Sequence, residues 1–164
     1  MKTIVFDQKN IQNLKFDLIK PLTHFSLSYP NESFLIEKDR WIGSVTFWSG
    51  SQYGLKICPN LHDLAPRVEV GSLSFEKVKA AKENDARIAL PKSFSQGTHL
   101  EKATIIEVDT KIESGIKITS ATSDYFLILP NVLPFTLAPK ISTYSLKYFE
   151  PEYSLDDYKF ESYI

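Results

Sequence analysis

The sequence contains only one cysteine, Cys58, so no disulfide can form within the chain. A lone thiol is typical of proteins that work in a reducing compartment, and we therefore expect a cytoplasmic location. No apolar run of about eighteen residues occurs, so a transmembrane helix is not expected. The opening MKTIVFDQKN has an apolar run of only three residues, which is too short for the core of a signal peptide. We expect no membrane partner.

The motifs of nucleotide, hydrolase and metal chemistry are also missing. The six glycines are scattered, and none belongs to a GxGxxG or GxxxxGK[ST] motif. Neither GxSxG nor HExxH occurs. Three histidines and one cysteine are spread along the chain, whereas a metal site needs several ligands at workable spacing. We predict no cofactor and no metal.

Positive charge is not in excess, since the formal net charge is −1. Proteins that bind nucleic acid through its phosphates are usually clearly basic, so nucleic-acid binding is not expected. A length of 164 residues with 43% hydrophobic content favours a single domain, 1–164, with a normal core.

Alternation with a period of two dominates the sequence. It occurs in HFSLSY, RWIGSVTFWSG, YGLKIC, RVEV, ATIIEVDTKIE, GIKITSATSDYFLIL and ISTYSLKYF. Such runs are typical of β-strands, and the turn residues between them favour antiparallel pairing. We predict an all-β or β-rich α+β fold, either an antiparallel two-sheet sandwich or a partly open barrel, with at most one or two short helices.

Stretches 41–57 and 103–129 are predicted to pair as antiparallel strands and to form most of the core. The predicted turns lie at SGSQ in the first stretch and at Ser114–Gly115 in the second. The predicted core residues are Val45, Phe47, Leu55, Ile57, Ile116, Ile118, Leu127 and Leu129.

One helix is a candidate, at residues 74–85. Ser74 can cap it, and Phe75, Val78 and Ala81 roughly share a face. The alternative is a strand through ARIAL after a short helical turn. Three prolines in LPNVLPFTLAPK predict an edge strand or an irregular crossing, because proline lacks the N–H that a central strand donates.

Two alternative functions have some support in the sequence. Cys58, His62 and Asp63 in CPNLHD could form a nucleophile, base and carboxylate, although a single cysteine is more often a small buried residue. Trp41 and Trp48 fall on opposite faces of one strand, so one of them could be exposed and stack on a glycan or a small ligand. Burial of both faces of that strand is the simpler interpretation.

The C-terminal segment, residues 150–164, is the clearest anomaly. Five carboxylates against Lys159 alone give it a charge of −4, which leaves +3 for the other 149 residues. Five of the eight tyrosines lie in the last 21 positions. Acidic side chains can contact a basic partner, and tyrosine is a favoured interface residue. The predicted partner-binding residues are Glu150, Glu152, Tyr153, Asp156, Asp157, Tyr158, Glu161 and Tyr163. Alternatively, the segment is a final strand or helix whose aromatic side chains pack on the body.

Two stretches, RWIGSVTFWSG and ESGIKITSATSDYFLILPNVLPFTLA, resemble bacterial immunity proteins, which accompany secreted toxins. The resemblance implies a cytoplasmic inhibitor that blocks a cognate toxin by tight binding. The residues themselves favour the same class, because the chain lacks catalytic motifs and ends in an acidic, aromatic segment. We therefore expect a non-enzymatic protein-binding module that covers a basic toxin or nuclease. A small-ligand or glycan-binding β-sandwich and an enzyme using Cys58 are the alternatives.

Overall fold

The structure is a computed structural model that describes residues 1–7, 11–12, 14, 20–30, 40–50, 52–79 and 86–163. Its strands are β1 (Lys2–Ile4), β2 (His24–Ser28), β3 (Ser44–Trp48), β4 (Tyr53–Ala65), β5 (Val68–Lys79), β6 (Ile88–Ala89), β7 (Thr98–Glu107), β8 (Thr110–Ser120), β9 (Tyr125–Pro130), β10 (Leu137–Ile141) and β11 (Lys159–Ser162). Short 3₁₀ turns occur at Lys92–Ser95 and Leu155–Asp157. Within these ranges no helix reaches seven residues, and none is long and apolar enough to cross a membrane.

The strands form two sheets. Sheet I has the order β10-β9-β8-β7-β11, and β1 lies parallel to the first part of β8. Sheet II has the order β5-β4-β3-β2-β6. The other pairings are antiparallel, and most join strands that are consecutive in the chain. The sheets pack together as a β-rich two-sheet sandwich, which confirms the predicted fold class.

The main core lies between the two sheets. Phe126 on β9 packs edge-to-face against Phe25 and Phe47 of sheet II, with ring centroids 5.0 and 4.9 Å apart. Such aromatic pairs stabilise a fold beyond the area they bury. All eight predicted core residues are buried.

A second hydrophobic cluster includes the alternate side chains of β9. Leu127 and Leu129 belong to it, together with Ala103 and Tyr158, whereas Phe126 and Ile128 belong to the main core. Both faces of β9 are therefore buried. This explains why its sequence, YFLILP, is nearly continuous in apolar residues rather than alternating.

The two sheets are joined by reciprocal hydrogen bonds between β5 and β8. Ser72 Oγ donates to the carbonyl of Glu113 over 2.7 Å, and Ser114 Oγ donates to the carbonyl of Gly71 over 2.8 Å. The N–H of Gly71 donates to a Glu152 carboxylate oxygen at 2.9 Å. Strand β5 lies at an edge of sheet II, so these contacts satisfy edge groups that would otherwise need water.

The predicted helix at 74–85 is wrong over its first half. Ser74–Lys79 belongs to β5 and pairs with β4, Ser74 opposite Cys58 and Phe75 opposite Ile57. Residues 80–85 lie outside the described residues. Helix propensity is a weak preference, and here β4 offers a partner strand that buries Phe75.

Two other local predictions are also wrong. Ser114–Gly115 lies inside β8 rather than in a turn, and the chain reverses instead at Val108–Asp109, where both φ angles are positive. The alternation in residues 141–149 forms no strand beyond the end of β10 at Ile141. The proline-rich stretch behaves as expected, since Pro139 lies in β10, an edge strand of sheet I.

Strand β8 approaches β9 closely at Gly115, and a substitution there tests this packing. A Cβ at this position would lie 2.5 Å from the Ile128 carbonyl oxygen and 2.5 Å from the Leu129 side chain. Gly115→Ala should therefore lower the free energy of unfolding by about 1–3 kcal/mol, measured by urea unfolding. Gly43→Ala is the control, because its Cβ would come no closer than 3.4 Å to another residue. Equal losses in the two variants would contradict the packing argument.

Candidate functional site

The C-terminal segment is folded onto the body along its described length, 150–163. Its first part lies beside the end of β9, where the N–H of Val132 donates to the Glu150 carbonyl and the N–H of Glu152 donates to the Pro130 carbonyl, both at 2.9 Å. Its last part is β11, which pairs with β7 at the edge of sheet I. The segment therefore ends in a strand.

The tyrosines of the segment attach it to the body of the protein through packing and hydrogen bonds. Tyr158 is only 5% exposed, belongs to the second hydrophobic cluster, and contacts Tyr153 edge-to-face at 6.2 Å. The Tyr153 hydroxyl donates to a Glu107 carboxylate oxygen at 3.1 Å. Tyr163 packs against the main core and hydrogen-bonds to Glu113. These contacts leave the three predicted partner-binding tyrosines mostly occupied within the chain.

Burial raises the pKa of all three tyrosines, with nearby carboxylates acting in the same direction. For Tyr153 and Tyr158, loss of solvent is the largest cause of the raised pKa, and the negative charge of Glu152 is the second. Burial, followed by the charge of Glu113 and its hydrogen bond, raises the pKa of Tyr163 to about 12. The phenols are therefore held neutral in the fold.

Two of the predicted acidic residues are paired with cations. Glu150 accepts two hydrogen bonds from the Arg40 guanidinium, and this lowers the pKa of the Glu150 carboxyl. Glu161 accepts from Lys111 at 2.8 Å and lies 3.9 Å from Lys102. The Lys111 hydrogen bond lowers the pKa of Glu161. Both carboxylates are paired within the chain and remain partly exposed.

Asp156 and Asp157 differ from the other acidic residues. Both are exposed on the 3₁₀ turn Leu155–Asp157, and neither forms an ion pair with any residue that the structure describes. Asp157 lines a shallow groove beside Ile106, which is 51% exposed. We call Ile106, Leu155, Asp156 and Asp157 the C-terminal face. It combines two unpaired carboxylates with exposed apolar side chains, and Lys111 and Lys159 also line the groove.

Glu152 points toward a cleft that the sequence analysis missed. The cleft has a volume of about 370 Å³ and lies between the end of the β4–β5 hairpin and the loop that joins β9 to β10. Its lining includes Arg67, Glu69, Asn131, Val132, Phe135 and Glu152. The sequence signal was the spacing of Pro130 and Pro134 around Asn131, which marks an irregular loop but not a cavity.

The residues of the Cys58 alternative do not come together. Cys58 lies inside β4, opposite Ser74, rather than at a strand end. His62 is four residues further along the same strand, which separates the two by roughly 13 Å at about 3.3 Å per residue. Burial raises the pKa of the Cys58 thiol, the opposite of what an activated thiolate requires. This geometry does not favour a nucleophile at Cys58.

Trp48 offers no exposed ring for a ligand, and Trp41 is only partly exposed. Trp48 is 3% exposed, its indole N–H donates to Ser26 Oγ at 3.0 Å, and the Arg87 guanidinium lies 3.9 Å from its ring centroid. Trp41 is half-buried, with the Arg40 guanidinium 4.7 Å from its ring centroid. All five residues of β3 are buried, so both faces of this strand are covered.

The chain matches no protein-family model, no curated protein sequence and no solved structure. Within the described part of the chain, no group of three or more His, Cys, Asp or Glu side chains could hold a metal ion.

The buried hydroxyl of Tyr158 provides a test of how the C-terminal segment is anchored. Ser114 and the backbone of Tyr153 are its polar neighbours, but it makes no well-formed hydrogen bond to a described residue. Tyr158→Phe should therefore leave the free energy of unfolding unchanged or raise it by up to about 1 kcal/mol. Tyr158→Ala should lower it by about 3–5 kcal/mol, because the ring fills part of the second cluster. Urea unfolding measures both, and a clear loss in Tyr158→Phe would show that the hydroxyl is satisfied.

The raised tyrosine pKa values predict an alkaline loss of stability. Above the ordinary tyrosine pKa of 10.0, the unfolded chain releases phenolic protons that the folded chain retains. The stabilisation is therefore complete below that pH and is lost as the pH rises through the folded values. Urea unfolding on either side of this pH should show the fall. A variant with phenylalanine at 153, 158 and 163 should lose most of this pH dependence. An equal fall of the free energy of unfolding with pH in the two proteins would contradict the assignment.

Proposed function

We propose that this chain is a non-catalytic protein-binding module, an immunity-type inhibitor that covers a basic partner such as a cognate toxin or nuclease. The C-terminal face is the contact surface in this proposal. Its aspartates would take the place of the phosphates of the partner's substrate. Ile106 and Leu155 would supply apolar contact beside them. Inhibition would follow from steric coverage of the partner's active site.

The observation that supports this proposal most is the exposed Asp156–Asp157 pair. Both neighbours of the pair along the chain are fixed, Tyr158 by burial and Leu155 by the 3₁₀ turn. A fixed acidic pair needs little ordering when a partner binds, so less of the interaction energy is lost to conformational entropy. Such charges also steer a basic protein toward the surface and raise the association rate.

The residues assigned to partner binding from sequence have two different roles in this proposal. Asp156 and Asp157 contact the partner directly. The tyrosines, together with Glu150 and Glu161, position the segment by their contacts within the chain. Glu152 belongs to the cleft rather than to the C-terminal face. The directly contacting set is therefore smaller than the acidic composition of the segment indicated.

The test uses the protein encoded by the neighbouring gene as the candidate partner. Asp156→Lys with Asp157→Lys should weaken binding by about 10-fold or more, because like charges then face a basic surface. Isothermal titration calorimetry at low and moderate salt measures the affinity, and the variant should also show a smaller salt dependence.

The control carries the same charge change on another surface. Asp63 and Glu76 are both exposed on strands of sheet II, whereas Ile106 and the turn before β11 adjoin strands of sheet I. Asp63→Lys with Glu76→Lys should leave the affinity nearly unchanged. Equal weakening in the two double variants would show that only net charge matters. Unchanged affinity of the Asp156 and Asp157 variant at both salt concentrations would refute a direct role for the C-terminal face.

A further inference from the structure

Strand β11 forms one edge of sheet I, and its pairing among the described strands is with β7 alone. The N–H of Tyr163 donates to the Leu100 carbonyl at 2.8 Å, so the backbone of Tyr163 faces β7. Alternate residues of an antiparallel strand hydrogen-bond to the same neighbour. Phe160 and Ser162 therefore direct their backbone N–H and C=O groups away from β7, toward the outside of the sheet.

This outer side of β11 is open in the described part of the chain. Both Phe160 and Ser162 are exposed, and no described residue forms a backbone hydrogen bond with either of them on this side. The extended conformation already begins at Tyr158, whose φ and ψ are −85° and 138°. Residues 158–162 therefore present the row of unpaired backbone groups to which another strand can bond.

The opposite edge of sheet I, β10, is protected against such pairing. The Leu137 N–H donates to the Ile42 carbonyl at 2.7 Å, and Pro139 has no N–H to offer. Ile141 forms an isolated bridge with Tyr144. On β11, by contrast, there is neither a proline nor a described segment bridged to its outer side. The difference between the two edges of one sheet identifies β11 as the surface suited to strand pairing.

The side chains of β11 determine which strand it can accept. A lysine on an edge strand usually opposes pairing, because its charge meets an arbitrary neighbour. Here, however, Lys159 is followed two residues later by Glu161, and both line the groove on one face of the strand. When two copies of this segment run antiparallel, each lysine lies opposite a glutamate. The strand is therefore complementary in charge to itself.

We propose that β11 pairs with β11 of a second copy of this chain, antiparallel and centred on Phe160, so that sheet I continues across a twofold axis. Phe160 exchanges backbone hydrogen bonds with the partner's Phe160, and the two exposed rings lie side by side on one face. The Ser162 N–H donates to the carbonyl of the partner's Tyr158. Lys159 faces the partner's Glu161 at a position without backbone hydrogen bonds, where opposite Cα atoms are only about 4.5 Å apart.

The charges select this register over the next one. A pairing centred on Glu161 would also satisfy the outer backbone groups, but it would place Glu161 opposite the partner's Glu161. Like charges directly opposite each other destabilise a strand pair, whereas opposite charges stabilise it. The Glu161 side chain remains 38% exposed beside Lys111, so its carboxylate can accept a second lysine.

The contact is short, so the dimer is transient and depends on concentration. The paired residues, 158–162, do not include Asp156 or Asp157. The inference therefore stands whether or not the proposed inhibitor function holds.

The test measures the oligomeric state of the full chain by sedimentation equilibrium over a concentration series. The average mass should rise toward twice that of the monomer as the concentration increases. In the isotope-labelled chain, the backbone amide resonances of Phe160 and Ser162 should shift over the same range, because these N–H groups enter the interface. The amide of Leu137, at the opposite edge of the sheet, should not shift.

Charge reversal tests the register. Lys159→Glu and Glu161→Lys should each weaken dimerisation by about tenfold or more, because two attractive cross-strand pairs become repulsive. An equimolar mixture of the two variants should form a heterodimer with nearly the original affinity, since opposite charges face each other again. Lys140→Glu is the matched control, because Lys140 is an exposed lysine on the other edge strand of sheet I. It should leave dimerisation unchanged.

A second pair of variants tests the backbone hydrogen bonds without altering the charges. Ser162→Pro removes an N–H that points away from β7, so it should weaken dimerisation by about tenfold and leave the pairing within the chain intact. Ser162→Ala keeps the N–H and should dimerise like the original chain. Circular dichroism establishes that each variant retains its strand content, and this pair decides the matter if Glu161→Lys does not fold.

A monomer at every concentration would overturn the proposal. It would also be overturned by a dimer that is equally stable in the original chain, in Lys159→Glu and in Ser162→Pro, because that dimer would use another surface. Failure of the two folded charge variants to form a heterodimer would exclude the pairing centred on Phe160. None of these results depends on a basic partner, so this proposal and the inhibitor function can fail independently.

Discussion

The buried carboxylate of Glu113 is the interaction on which much of the structure depends. Glu113 is only 4% exposed, and its side chain accepts the N–H of Phe6 and a Lys102 ammonium hydrogen bond, both at 2.9 Å. It also hydrogen-bonds to Tyr163. A buried charge is tolerated only when it is paired and hydrogen-bonded. The Glu113 carboxylate is therefore fully satisfied only when Phe6, Lys102 of β7 and Tyr163 are all in place. The Glu113 backbone carbonyl also accepts a hydrogen bond from Ser72 of sheet II.

This requirement gives a physical reason for the acidic, tyrosine-rich composition of the C-terminal segment. Sheet I is covered by sheet II on one face, and its second hydrophobic cluster is completed by Tyr158 from the segment. The Tyr158 ring suits that position because it buries a large area within the cluster. The carboxylates at 150 and 161 fix the two ends of the segment through Arg40 and Lys111. Much of the unusual composition thus serves folding, whereas Asp156 and Asp157 are exposed and form no ion pair with a described residue.

The sequence predicts the strands and the core well because burial of alternate side chains leaves a period of two that needs no knowledge of partners. Val45 and Phe47 show this in β3, and Ile116 and Ile118 show it in β8. Local sequence preferences fail to predict the secondary structure where contacts with a distant strand decide it. Ser74–Lys79 has the residues of a helix but pairs with β4, and Gly115 serves close packing rather than a turn. The cleft could not be predicted, because Asn131, Glu152 and Arg67 are distant in sequence and meet only when the sheets pack.

Two buried polar atoms, Asn131 Oδ1 and Tyr158 Oη, carry the same thermodynamic cost, and the fold offsets it in a different way for each. Each lacks a hydrogen-bond partner among the described residues. The Tyr158 hydroxyl belongs to a ring packed within a hydrophobic cluster, so its cost is offset by the area that the ring buries. Asn131 Oδ1 is inaccessible to a water-sized group, and the bond from Asn131 Nδ2 to the Leu137 carbonyl offsets part of its cost.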